Sequence, residues 1–217
     1  MAFGTSIAAA AGVVRARTYL VYLHEIRTVV VEIPKCASTS LLAVLPSVYT
    51  TSLEARHLTL KQHEGRGLDI EVGTALIREP IDRLVSASNF SVFKRSPGIR
   101  LVEFRDKLMK SLDTKSPNVE VEAFYPQYSF LISDVGLRLY LLENFSKFLN
   151  DLGVSSRPPV ENVGAAKLSR EEVIDVFGAD FVSEFYSLDF SLYDRVRSIG
   201  DGALRVRNAR EYLMSLR

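Results

Sequence analysis

The chain is poor in cysteine, in net charge and in long apolar runs, and each shortage excludes something. Cys36 is the single cysteine in 217 residues, so no disulfide can form within the chain, and a reducing compartment is compatible. The histidines, His24, His57 and His63, have no second cysteine to join them, so no structural zinc pattern arises and no metal is expected. Lys and Arg number 27 against 26 for Asp and Glu, a formal charge of +1. Nothing global therefore draws nucleic acid or an acidic membrane, and any anion site must be local. The apolar core of the N-terminal segment, Ile7 to Val14, is interrupted by Arg15 and has no cation before it. It is too short to span a bilayer, so residues 1–18 read as a surface helix or a leader, with no stable membrane insertion and a cytoplasmic location expected. What is present is ordinary for a globular protein: 47% hydrophobic and 24% charged residues, enough for one core, read here as one domain over residues 1–217.

Along the chain, periodicity places strands and helices in alternation. Residues 19–26 are apolar and ambiguous, whereas residues 28–33 are nearly continuous in Val and Ile and predict a buried strand. Leu41, Leu42 and Leu45 then predict a helix over residues 38–45. After a polar segment, residues 50–71, expected as a surface loop with a short helix, residues 73–77 predict a second buried strand. Pro80 suits the first turn of the helix that follows, with Ile81, Leu84 and Val85 on its buried face. Residues 101–112 read as a covering helix, residues 136–144 as a further strand, and residues 145–152 as a helix stopped by Gly153. "SSRPPVEN" is a loop by composition, Ser169 and Glu172 form a capping box for a helix from Arg170, and the tail from Ser198 predicts a last surface helix. There is no internal repeat. The pattern implies an α/β fold: three layers, with a mainly parallel central sheet flanked by helices and ligands beyond the carboxyl ends of its strands.

Two loops stand at such ends. In "IPKCASTSL" the strand stops at Pro34, Lys35 follows, and Cys36, Ala37, Ser38, Thr39 and Ser40 are all small before the helix begins. Small residues let an anion approach backbone N–H groups, the hydroxyls add donors, and the lysine adds a mobile charge. The glycine-rich loop of ATP- and GTP-hydrolysing enzymes carries its lysine late, whereas this loop has no glycine and its lysine comes first. In "IREPIDRLVSASNF" Arg78 follows the second strand directly, and Ser86 comes eight positions later, on the same helix face about 12 Å along the axis. That spacing suits a groove for a second anion.

Taken together, the two motifs resemble those of sulfotransferases that use 3′-phosphoadenosine 5′-phosphosulfate (PAPS), in the carbohydrate-modifying, family 2-like branch. The first is similar to that family's 5′-phosphosulfate loop and the second to its 3′-phosphate motif; "FYPQYSFL" and "LRLYLLENFSKFLNDLG" are weakly similar to its C-terminal half. The resemblance runs from about Val30 to Tyr193. It implies a nucleotide-binding strand–loop–helix fold and PAPS as co-substrate. It also implies an acceptor hydroxyl, in this branch that of a carbohydrate, attacking sulfur in line. By matching position, Ser38, Thr39 and Ser40, with Cys36 and Ala37, would cradle the 5′-phosphosulfate, and Lys35 would stand at the bridging oxygen. Arg78 and Ser86 would bind the 3′-phosphate, with Arg83 either assisting or serving as a surface ion-pair partner.

The reaction needs a base for the hydroxyl and a cation where charge builds on the leaving phosphate. Lys35 supplies the cation. His57, in the stretch where related enzymes carry a histidine after the first helix, is chosen as base, with His63 and Glu54 as competitors and Glu122 as an outside candidate. Gln127 is left open as structural or substrate-facing. Two other functions fit the same chain: a phosphoryl-transfer or nucleotide-binding protein of this strand–loop–helix class, and a binding module of the same fold without turnover.

Overall fold

The computed structural model describes residues 19–23, 27–44, 49–50, 57–116, 118–154, 168–200 and 202–217. The leader at residues 1–18, Glu54 and the "SSRPPVEN" loop lie outside the described residues. In chain order the elements are β1 (Tyr19–Leu23), β2 (Thr28–Val30), α1 (Ser38–Val44), β3 (Tyr49–Thr50), α2 (Leu60–Glu64), β4 (Val72–Ile77), α3 (Pro80–Phe90) and α4 (Leu101–Asp113). They continue with β5 (Gly136–Leu141), α5 (Phe145–Asp151), α6 (Arg170–Phe177), α7 (Ala179–Phe185), α8 (Ser187–Arg197), β6 (Leu204–Val206) and α9 (Ala209–Met214).

The strands form one sheet in the order β3-β1-β2-β4-β5-β6. It is mixed, which corrects the expectation of a mainly parallel sheet: among the described residues β2–β4 and β4–β5 pair in parallel, while β1–β2, β1–β3 and β5–β6 are antiparallel. Connection length explains part of this. Residues 24–27 are too few to carry the chain back for a parallel partner, so β1 and β2 make an antiparallel pair; β2 reaches β4 through a crossover containing α1 and α2. The tail expected to be a surface helix first adds β6 at the sheet edge, with Leu204 buried, and only then forms α9.

Helices cover both sheet faces. On one, Leu60 of α2 lies so close to Gly73 that a Cβ there would stand 2.5 Å from a Leu60 methyl carbon. On the other, Tyr140 of β5 meets the edge of Phe148 of α5 at 5.3 Å between ring centroids. Val29, Val30, Ala75, Leu76, Ile77, Leu137 and Leu139 fill the core between these layers. A second apolar cluster lies beside it, built from Leu84 of α3, Phe104 and Leu108 of α4, Phe124, Val173 of α6, and Val182 and Tyr186 around α7.

Local signals start and stop the helices as expected. Ser169 and Glu172 exchange the two hydrogen bonds of a capping box at 3.1 and 2.6 Å. Pro80 stands in the first turn of α3 under a Glu79 cap that accepts from the Asp82 N–H at 2.7 Å. Gly153 ends α5 with φ of +75°. Because β2 and β4 run parallel and Val30 is in register with Thr74, the chain leaves both strands on the same side of the sheet. The two candidate loops are neighbours for that reason.

Candidate functional site

The first loop begins where β2 loses its partner. Val31 still donates to Thr74 O at 2.8 Å, then the chain turns, with Ile33 N–H on Val31 O and Cys36 N–H on Ile33 O, both at 3.1 Å. Lys35 and Ala37 have φ of +68° and +63°, the left-handed region that residues with a Cβ enter at a cost of about 1–2 kcal/mol each. Such residues beside right-handed ones point successive N–H groups into one concavity, an anion-binding nest. Among the described residues, no acceptor meets the N–H of Lys35, Ala37, Ser38, Thr39 or Ser40. Ser38, Thr39 and Ser40 open the helix α1, so its first-turn N–H groups join those of the turn. Cys36 differs from its neighbours: it is buried, its N–H is used within the turn, and its thiol donates to Gln127 Oε1 at 3.3 Å. Burial pushes that thiol up to about 11, so it stays protonated.

Cations surround this turn. The Lys35 ammonium nitrogen lies 4.1 Å from the centroid of the Phe90 ring, at the end of α3. Burial first, and then the charges of Lys94, Arg78 and Arg83, together hold its pKa down at about 8. Arg78 is half-buried, and its guanidinium enters none of the ion pairs formed among the described residues. Ser86, also half-buried, stands one turn before Phe90 and shares the helix face that receives Lys35. The fold therefore brings Lys35, Arg78 and the Ser86–Phe90 face to one side of the sheet.

Arg83 lies beneath the turn. It is 1% exposed, and its Nε donates to Pro34 O at 3.0 Å while a terminal nitrogen donates to Tyr125 O at 2.8 Å. It is not a surface ion-pair partner but a buried brace between the first loop and the segment leading to Gln127.

The histidines separate clearly. His57 has φ of +60°, and its Nδ1 lies 2.8 Å from the carbonyl oxygen of Glu32, just before the loop. A carbonyl only accepts, so the neutral ring carries its hydrogen on Nδ1 and keeps a lone pair on Nε2. That is the tautomer a base needs. His63 is buried in α2 with no hydrogen-bond partner for Nδ1, and burial, with Arg66 nearby, pushes it down to about 4. It is a neutral core residue. Glu122 lies in a 3₁₀ turn (Val119–Phe124), where burial lifts its carboxyl to about 7 against the opposing pull of Arg95.

Three contributors were not assigned from sequence. Phe90 receives Lys35. Gln127 is 1% exposed and its carboxamide spans the loop and Arg78; Asp189 of α8 holds the Gln127 and Tyr128 N–H groups at 2.7 and 2.9 Å. A polar residue after Pro126 in an aromatic stretch was a signal for Gln127; Asp189 carried none. A cavity of about 810 Å³ opens between α7 and α8, lined by Tyr128, Phe181, Glu184, Phe185 and Leu188 among others, and no residue of either candidate loop lines it. Among the described residues, no group of three or more His, Cys, Asp or Glu could hold a metal ion, and no helix is long and apolar enough to cross a membrane. In comparisons with known proteins, no family model, no curated protein and no solved structure matches the chain.

Proposed function

We propose that this protein is a PAPS-dependent sulfotransferase that moves a sulfuryl group to an acceptor hydroxyl, that of a carbohydrate by the resemblance of its motifs. The observation that carries this is the pairing, at one end of the sheet, of a glycine-free turn headed by Lys35 with a second cation, Arg78, whose main chain is held by Gln127. Two anion grips suit a ligand with phosphate groups at both ends of a nucleoside.

In this reading the N–H groups and hydroxyls of residues 37–40 hold the phosphosulfate, and Arg78 with Ser86 holds the 3′-phosphate. His57 Nε2 takes the proton of the acceptor hydroxyl as its oxygen forms the new bond to sulfur. The bond between sulfur and the bridging oxygen breaks, and Lys35 leaves Phe90 to meet the charge growing on the departing phosphate. Adenosine 3′,5′-bisphosphate and the sulfate ester are the products. Every step uses groups of this chain, with the His57 tautomer already set by the Glu32 carbonyl.

Thermal denaturation tests the ligand class. Adenosine 3′,5′-bisphosphate without magnesium, at a hundred times its Kd, stabilises by about 2.7 kcal/mol and raises Tm by roughly 5–10 °C for a chain of this size. A shift with ATP and magnesium but none with the bisphosphate would favour phosphoryl transfer instead. Transfer of labelled sulfate from PAPS to a panel of glycans then separates an enzyme from a binding module.

A further inference from the structure

The side chain of Gln127 makes more contacts to the two candidate loops than any ligand-facing role requires. Oε1 accepts from Arg78 N–H at 2.8 Å and from the Cys36 thiol at 3.3 Å, while Nε2 donates to Arg78 O at 2.9 Å. The opposite amide orientation would set donor against donor, so the network fixes which end is oxygen. The β4–β5 ladder ends at Ile77 and Leu141. The carboxamide therefore takes over the pairing of the Arg78 main chain where the neighbouring strand stops.

Gln127 is itself gripped. The Asp189 carboxylate of α8 accepts from the Gln127 and Tyr128 N–H groups, fixing the start of the 3₁₀ turn Gln127–Phe130. Upstream, Arg83 ties Tyr125 O to Pro34 O. The segment 125–127 thus touches the first loop twice, at Pro34 through Arg83 and at Cys36 directly, and the second loop at Arg78.

We propose that Gln127 is the positioning residue of this site, a side-chain clip that locks the Arg78 main chain to the Cys36 turn, so that guanidinium and nest face a single ligand. The proposal rests on the sulfotransferase reading for the identity of that ligand, though the clip itself can be tested without it. Gln127→Met keeps the length and removes all three hydrogen bonds. Gln127→Glu keeps an acceptor for Arg78 N–H and the thiol but loses the donor.

Cys36 is the single cysteine in the chain, so reaction with a thiol reagent such as 5,5′-dithiobis(2-nitrobenzoate) reports the turn alone. With the clip removed, labelling of Cys36 in Gln127→Met accelerates at least about tenfold, the scale of one lost buried hydrogen bond. The rate stays independent of urea below the unfolding transition, marking local rather than global opening. Gln127→Glu labels within about threefold of wild type. Affinity for adenosine 3′,5′-bisphosphate, measured by calorimetry, falls at least tenfold in Gln127→Met. Unchanged labelling and affinity in Gln127→Met overturn the proposal, as does acceleration that follows urea and therefore global unfolding. If the wild-type protein does not bind the bisphosphate, the functional reading falls, and the labelling arm still decides the clip.

Discussion

Lys35 carries the sharpest expectation at the scale of single residues, because its environment already disfavours its charge. Burial and three neighbouring cations hold its pKa near 8, and an incoming dianion reverses that by supplying the missing counter-charge. In the sulfotransferase reading, Lys35→Ala lowers kcat about 10²–10³-fold while bisphosphate affinity changes far less, the pattern of a group used chiefly in the transition state. Equal losses in both would mean that Lys35 only binds. The profile of kcat/KM against pH, which reports the free enzyme, falls above about pH 8 as the ammonium deprotonates; Lys35→Arg moves that limb upward because guanidinium stays charged. His57→Ala abolishes transfer and leaves bisphosphate affinity within about threefold of wild type, since its ring is placed by the Glu32 carbonyl rather than by the nest. Retained turnover would move the base to another group, with Glu122 next because burial lifts its carboxyl to about 7.

Among the elements, the approach of α2 to β4 is the tightest dependence on one residue. Gly73→Ala drives a methyl group into the buried Leu60 side chain and destabilises the protein by about 1–3 kcal/mol, read as a lower urea midpoint at unchanged slope. A Leu60→Val partner change recovers part of that loss in a double-mutant cycle if the clash is the cause. Elements with local signals were legible: the β-branched run at β2, the proline opening α3, the capping box of α6 and the glycine ending α5. The sheet's mixed direction and the edge strand β6 were not, because each depends on a partner distant in sequence. The same division runs through the site. Lys35 and Arg78 stand directly after strands and could be read from the chain. The Gln127 contacts to Asp189 and Cys36 cross 62 and 91 positions, and Arg83 occupies a helix face whose period marks burial but not what it braces.

For the molecule as a whole, His63 makes one contribution to acid stability, opposed over nearly the same window by Glu122, whose carboxyl burial lifts to about 7. The folded pKa of His63, near 4, lies below the ordinary 6.5, so between these values His63 binds more protons in the unfolded chain and its own contribution to stability rises with pH. The stabilisation is complete above pH 6.5 and is lost as pH falls towards 4, a change on the order of 3 kcal/mol. His63→Leu removes this contribution, read as the difference between wild-type and variant urea titrations at stepped pH, and leaves the opposing Glu122 contribution in place. A second consequence follows from Arg83. It rises from a helix that helps build one apolar cluster, and its guanidinium holds Pro34 beside the other; Tyr125, which it also holds, packs against both. The two clusters are thus tied through one buried cation. If this tie holds during ligand capture the two clusters move as one body, and small-angle X-ray scattering gives the same radius of gyration, within about 0.5 Å, with and without saturating bisphosphate.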